Sequence, residues 1–374
     1  MLYLINCTFS PTSASSIRVL AYAKALSMLG VKAKVVYFQP DVFFSKYDGI
    51  LPNIEFEYLW EKYYINIPLL RKISLRLYLI RFVKELKSGD NVYIYSFPDL
   101  LVELSKRRRD LNLYIERTEH DDVFLKGQIK KVSISDFLEA CRRANGVMVI
   151  SQALKDYYIE KGCKPERVHV INMLADSTRF EGLEKQPVEP YIAYCGTASN
   201  NKDGVNQLIT SFNLVSQRHP GVKLYIIGKT PSSKQRFDNY ELVKKLGIED
   251  KVVFTGVISS KEMPQMLKNA CVLALDRPNN KQAKYGFPTK LGEYLLTENP
   301  VVVTKVGDIP LFLSDGVNAL LASPDSPDEF ASKLCWAIEH PKEASLIGEK
   351  GKQVAEENFN FMIETKKILK VLNQ

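Results

Sequence analysis

The chain is predicted to be of the α/β class, two doubly wound parallel-sheet domains in tandem, and three observations lead there. Strand-length apolar runs alternate with helical apolar spacing from the first residues onward, which is the pattern of βαβ units. The alternation restarts at Tyr191, after a stretch over 182–190 in which Pro187 and Pro190 read as a linker. At 374 residues, with 45% hydrophobic and 25% charged side chains, the chain is long enough for two domains that each bury a core.

The first run, Met1-Leu2-Tyr3-Leu4-Ile5-Asn6-Cys7, is apolar but short, and the first basic residue is Arg18. It lacks the layout of a signal peptide and is assigned as a buried strand. A loop over 8–15, rich in Ser, Thr and Pro, follows at the carboxyl end of that strand, where open α/β sheets bind ligands. Ile17, Leu20, Ala21, Ala25 and Met28 then recur at helical spacing, Gly30 closes the helix, and 31–38 is the next strand. Here two readings stand: Ser13, Ser15 and Ser16 can cap the helix while Arg18 faces a ligand, or Ser16 is simply an N-cap and Arg18 a solvated charge. No G-x-G-x-x-G follows the strand and no P-loop occurs, which disfavours a nicotinamide dehydrogenase and a P-loop kinase.

Strands over 91–95, 112–116, 146–150 and 168–171, with helices between them, complete a Rossmann-like first domain over 1–182. The strand over 112–116 runs into Glu119-His120-Asp121-Asp122, placing His120 in a loop at the sheet's carboxyl edge, where an imidazole can hydrogen-bond a substrate hydroxyl. Glu119 and Asp121 flank it as further candidates. Of the other histidines, His169 falls in a strand, and His219 and His340 sit at helix ends before prolines.

The net charge of +8 permits attraction to phosphate-bearing ligands or an anionic surface. Over 68–87, Leu69, Leu70, Ile73, Leu77, Ile80 and Val83 form an apolar stripe beside Arg71, Lys72, Arg76, Arg81, Lys84 and Lys87, with Glu85 the sole acid. Such a helix either lies on an anionic membrane or is a core helix with a basic solvated face. The cluster Lys106-Arg107-Arg108-Arg109 reads as a solvated helix end, and with no nucleic-acid module in the sequence no nucleic-acid partner is expected. Six scattered cysteines without a CxxC pair or a Cys/His cluster fit a reduced cytosolic protein with no structural zinc. No apolar run approaches the roughly 18–20 residues that span a bilayer.

The second domain, over 191–357, opens with a strand ending at Cys195 and the turn Gly196-Thr197, then Lys202 before Gly204 and a helix. Strands follow at 223–227, ending in Gly228-Lys229, at 252–254, ending in Thr255-Gly256-Val257, and at 270–275, ending in Asp276-Arg277. The most informative stretch is Tyr285-Gly286-Phe287-Pro288-Thr289-Lys290-Leu291-Gly292-Glu293, ahead of the strand Val301-Val302-Val303-Thr304. Pro288 suits a helix's first turn, so the N–H groups of Thr289, Lys290 and Leu291 are expected to point at an anion. Glu293, about a turn further on, can accept two hydrogen bonds from a ribose diol. The stretch reads as a nucleotide-diphosphate site, or else as a packing turn with Glu293 as a solvated helix carboxylate.

The series from Tyr191 onward, with its Phe-Pro-x-Lys-x-x-Glu-Tyr corner, resembles the donor domain of retaining GT-B glycosyltransferases of glycosyltransferase family 4. Glu293 matches the second carboxylate of that family's E-x7-E pair, while Tyr285 stands at the first position. Thr197 stands where the family has Arg, and Asp203 precedes Gly204. The resemblance implies two Rossmann-like domains facing across a cleft, an acceptor domain first and a donor domain second, with a terminal helix over about 358–374 packing back on the first. It implies transfer of a sugar, with retention and without a metal or other cofactor, from a UDP- or GDP-sugar to a carbohydrate or lipid-linked acceptor. Bacterial surface polysaccharide or glycolipid synthesis at the cytoplasmic side follows from the same source, with 68–87 as the membrane contact. His120, Lys202 and Glu293 are then catalytic, and Ser15, Arg18 and Glu119 line the acceptor side. Gly196, Thr197, Lys202, Gly228, Lys229, Val257 through its main chain, 285–291 and Glu293 hold the donor. A sugar-nucleotide epimerase of the same fold and a non-catalytic nucleotide-sugar-binding or membrane scaffold are the alternatives.

Overall fold

A computed structural model describes residues 1–11, 13–39, 45–63, 67–122, 132–230 and 232–373. The chain divides into two compact units, Met1–Asn172 with Phe361–Gln374, and Met173–Asn360. Residues 173–182, assigned above to the first domain, group with the second, because Met173 and Ala175 pack on Gly292 and the Ala175 N–H donates to the Phe359 carbonyl at 2.7 Å.

The first unit is a seven-stranded parallel sheet of β1 (Leu2–Thr8), β2 (Ala33–Gln39), β3 (Ile54–Tyr58), β4 (Asn91–Tyr95), β5 (Asn112–Arg117), β6 (Gly146–Val149) and β7 (Val168–Val170). Their order is β3-β2-β1-β4-β5-β6-β7, so the winding reverses between β1 and β4. The edge strand β3 escaped the sequence reading because Glu55 and Glu57 interrupt its apolar pattern; both reach Lys34 on β2, at 3.0 and 2.9 Å. An edge strand tolerates such charges, since one side of it stays open.

The helix Ala14–Met28 is capped by Ser13, whose hydroxyl accepts from the Ser16 N–H. Ser13 is one of the three expected cap candidates; Ser16, another of them, is buried, accepts from the Ser10 N–H at 2.9 Å and donates to the Thr8 carbonyl. The helix turns Val19, Tyr22, Ala23 and Leu26 to the core and leaves Ile17 and Met28 outside, so its buried stripe is rotated from the expected one. The helix Phe361–Leu372 lies against it, with the Lys24 ammonium 5.4 Å from the Phe361 ring centroid.

In the helix Pro68–Glu85, Tyr78, Phe82 and Val83 are buried. Leu70, Ile73, Leu77 and Ile80, four members of the expected stripe, face outward with 43%, 51%, 62% and 39% exposure. The helix therefore carries apolar residues on two faces, and the core took the aromatic one. No helix among the described residues is long and apolar enough to cross a membrane.

The second unit repeats the plan with β8 (Tyr191–Cys195), β9 (Lys223–Ile227), β10 (Val252–Gly256), β11 (Val272–Leu275), β12 (Val301–Thr304) and β13 (Leu320–Ala322). The order β10-β9-β8-β11-β12-β13 reverses between β8 and β11, which opens a crevice at the carboxyl ends of those strands. Both units are thus Rossmann-like, and β8, β11 and β12 in the middle of the second sheet are buried throughout, as parallel strands covered on both faces must be.

Candidate functional site

At the switch point of the second unit the loops after β8 and β9 are laced together through their backbones. The Gly196 N–H donates to the Ile227 carbonyl, the Ala198 N–H to the Lys229 carbonyl and the Gly228 N–H to the Gly256 carbonyl, each at 2.8 Å. Gly228 has φ +126°, and a Cβ there would overlap the Gly196 carbonyl, so the crossing tolerates no side chain. Ser199 caps the short helix Asn200–Asp203, and Gly204 ends it in the left-handed region, against the Asp276 carbonyl.

That turn buries Asp203, which is 2% exposed. Its Oδ2 accepts from the Lys290 ammonium, and the Tyr194 hydroxyl lies 2.8 Å from the same oxygen and 2.7 Å from the Thr197 carbonyl, with one proton to give. Lys290 also donates to the Tyr194 hydroxyl at 2.9 Å and sits 4.4 Å from that ring's centroid. A Cβ on Gly196 would collide with the Lys290 ammonium, so the glycine is what lets this cation come up under the loop. Arg277, 2% exposed, has its backbone held on both sides by the Thr304 hydroxyl, at 2.9 and 2.8 Å, and its Nε is 3.8 Å from Asp203. Burial alone would raise the Asp203 carboxyl, but Lys290 and Arg277 outweigh it and hold it below the usual carboxylate range. Burial lowers the Lys290 pKa, opposed by Asp203. Two cations against one carboxylate leave net positive charge behind Gly196 and Thr197.

Lys290 begins the helix Lys290–Leu296, whose Tyr294 locks it to the end of β8: the Cys195 N–H donates to the Tyr294 hydroxyl at 2.6 Å. Glu293, on the same helix, is 19% exposed and paired with Arg179 of the 3-10 turn Ser177–Arg179. The site therefore combines a buried cation network with a carboxylate about one helical turn along.

Several expected contacts take a different form. The helix starts after Pro288, and the Leu291 N–H donates back to the Pro288 carbonyl at 3.0 Å, so it is spent locally and does not point at an anion. Phe287 is 7% exposed and packs against Phe312 and Phe359, with centroids 5.6 and 5.4 Å away, as a core residue. Pro288 and Gly286 are buried as well. Thr289 is half-buried and carries no side-chain cap. Tyr285 ends the helix Lys281–Tyr285, its ring 5.3 Å from the Lys284 ammonium. Thr197, Lys202, Lys229 and Val257 are exposed on the loops around the crevice, and Lys202 is on the turn that positions Asp203.

In the first unit Arg18 does not line a ligand site. It is 3% exposed, with Nε donating to Glu116 at 2.6 Å and Nη2 to the Ile171 carbonyl at 3.1 Å. Tyr22 and Tyr93 complete the Glu116 carboxylate at 3.0 and 2.6 Å, so a helix arginine was recruited to neutralise a carboxylate on β5. Ser15 is half-buried within hydrogen-bonding reach of Ser13. His120 is 5% exposed, accepts the Asp122 N–H at Nδ1 at 3.2 Å and packs with its ring tilted against Tyr157, centroids 4.4 Å apart. Asp121 is fully buried, bonded by Arg117 at 2.9 Å and Tyr158 at 2.8 Å, which makes it a structural acid. Glu119 is half-buried beside them.

Sequence reasoning missed Tyr194, Asp203, Arg277 and Arg179 as parts of the site. Asp203 and Arg277 had a local signal, since each is a charged residue at the carboxyl end of a strand or in the loop next to one; the other two had none.

Residues 189–340 match the family model described as glycosyl transferases group 1. Mannosylfructose-phosphate synthase of Agrobacterium fabrum is 24% identical over 236 residues, 59% of this chain and 51% of that protein. MMP alpha-(1->4)-mannosyltransferase of Mycolicibacterium hassiacum is 25% identical over 214 residues, 57% of this chain and 50% of that protein. The chain thus spans about half the length of the curated relatives it matches. Among solved structures, Anabaena Alr3699/HepE in complex with UDP and glucose superposes with a TM-score of 0.77 at 18% identity, covering 100% of this chain and 99% of that one. WaaG, a glycosyltransferase involved in lipopolysaccharide biosynthesis, superposes at 0.70 and 12% identity, covering 100% and 99%. These matches make residues 189–340 similar to the glycosyl transferases group 1 model, and the chain as a whole has the GT-B fold.

Proposed function

We propose that this chain is a glycosyltransferase that moves a sugar from a nucleotide-diphosphate sugar to an acceptor hydroxyl. The observation that carries this is the Lys290 ammonium, held under Gly196 by Asp203 and Tyr194, with Glu293 on the same helix. Cations fixed in place where a diphosphate departs stabilise charge that grows as the glycosidic bond breaks. Lys290 and Lys202 take that role, the Thr197 hydroxyl adds a neutral donor, and Glu293 accepts from the ribose. Gly228, Lys229 and the Val257 main chain border the donor. The test is thermal stabilisation by UDP, GDP, ADP, CMP and their sugars, because a ligand of the folded state raises the melting temperature. One diphosphate gives a selective shift that Glu293→Ala and Lys202→Ala abolish; unchanged donor affinity in both variants sinks the reading.

The motif resemblance to glycosyltransferase family 4 supports retention at the anomeric carbon, with a UDP- or GDP-sugar as donor and His120 as a catalytic group. The anomeric coupling constant of the product checks it. Alr3699/HepE was solved with UDP and glucose, which supports a UDP-sugar donor, and WaaG is named for lipopolysaccharide biosynthesis, which supports a role in bacterial surface polysaccharide or glycolipid synthesis. The names of the relatives favour transfer over epimerisation or a scaffold role.

A lipid-linked acceptor places the protein at the inner face of the membrane, and the outward stripe Leu70, Ile73, Leu77 and Ile80 supports that placement. Arg81, Lys84 and Lys87 are exposed along or just after the same helix. Apolar side chains flanked by bases suit the boundary of an anionic bilayer, whereas two copies of this face would repel.

A further inference from the structure

Arg179 is the seventh residue of the second unit, on a 3-10 turn fixed by Asp176, whose Oδ1 accepts from the Thr178 N–H at 3.1 Å and its hydroxyl at 2.7 Å. Its guanidinium is 22% exposed and makes two contacts with separate segments of that unit. Nη1 donates to the Glu293 carboxylate, and Nη2 donates to the Ser260 carbonyl at 3.2 Å, three residues beyond Val257. The planar fork thus joins the helix that carries Glu293 to the loop after β10. A lysine at this position, a point charge on a flexible stem, would not hold both directions at once.

We infer that Arg179 is a positioning residue for the nucleotide: it fixes one Glu293 oxygen so that the remaining acceptor capacity faces a ribose diol, and it sets the 257–260 loop at the matching distance for the base. The inference rests on the nucleotide reading of Glu293 given above. A carboxylate oxygen has more than one lone pair, so an arginine on one side leaves room for ribose hydroxyls on the other. Pre-orientation of this kind lowers the ordering cost of binding, and it acts on the ribose contacts and not on those to the phosphates.

The experiment compares UDP with 2′-deoxy-UDP, and GDP with 2′-deoxy-GDP, by calorimetric titration of the wild type, Arg179→Ala and Arg179→Lys. In the wild type the ribonucleotide binds more tightly; in Arg179→Ala that preference shrinks by about tenfold, the scale of one hydrogen bond to a charged group. Arg179→Lys, which keeps charge and bulk and serves if the alanine variant fails to fold, loses part of it. A purely structural arginine would lower the melting temperature and leave the ribose preference intact, and that result overturns the inference while sparing the nucleotide site. Absence of binding by the wild type to all four nucleotides overturns the nucleotide reading and this inference with it.

Discussion

Lys290 and Asp203, 87 residues apart in sequence, form an ion pair whose carboxylate is 3% and whose ammonium is 16% exposed. The pair closes the floor beneath Gly196, and it gives the second unit a fixed cation where the winding of its sheet reverses.

Lys290→Met strips that cation and leaves Asp203 buried with Arg277 and Tyr194 alone. Breaking a buried pair costs about 3–5 kcal/mol, reduced here by the Arg277 guanidinium that remains. Asp203 has a lowered pKa, so the stability it contributes is present above its ordinary value of 3.8 and is lost as pH falls through its lower folded value. The melting-temperature gap between wild type and variant is therefore wide at neutral pH and narrows in strong acid. A gap that stays constant through the acid range contradicts the assignment.

Asp276 is 2% exposed, and burial pushes its carboxyl up to about 7 against the hydrogen bond from Ser211, with Asp325 adding to the rise. A carboxyl raised in the folded state binds a proton that the unfolded chain has released, so its stabilising contribution is full below 3.8 and declines as pH rises to about 7. Asp276→Asn removes this dependence. Relative to wild type, the variant gains stability steadily between pH 4 and 7 and then levels off, as read from melting curves across that range.

Arg18→Met tests whether that arginine belongs to the core or to a substrate. With Glu116 fully buried and deprived of its cation, the variant loses about 3–5 kcal/mol in chemical denaturation. Full stability with weakened acceptor binding would return Arg18 to the acceptor side.

Leu77→Glu alters the outward stripe at its most exposed member, 62%. A surface change of this kind moves stability by about 0.5 kcal/mol or less. In cosedimentation, wild type pellets with vesicles containing anionic lipid, less so at high salt, and the variant stays in the supernatant. Equal pelleting of both proteins, or wild-type binding to neutral vesicles alone, argues against this face as the membrane contact.

The sequence by itself determined the two-sheet α/β plan, the strand over 191–195 with its glycine turn, and Lys290 and Glu293 as candidate ligands, because periodicity, turn residues and Pro–helix junctions are local signals. It misplaced the phase of the helix Ala14–Met28, missed the edge strand β3 and offered Phe287 and Arg18 as ligand contacts. Tertiary structure decided those points: the buried face of a helix depends on what it covers, and Arg18 was claimed by a carboxylate 98 residues away. Likewise, Glu293 meets Arg179 across 114 residues and Lys290 meets Asp203 across 87. Charge pairing in a low-dielectric interior is set by proximity in space, so the partners that orient the site emerge only once the sheet has brought its strand ends together.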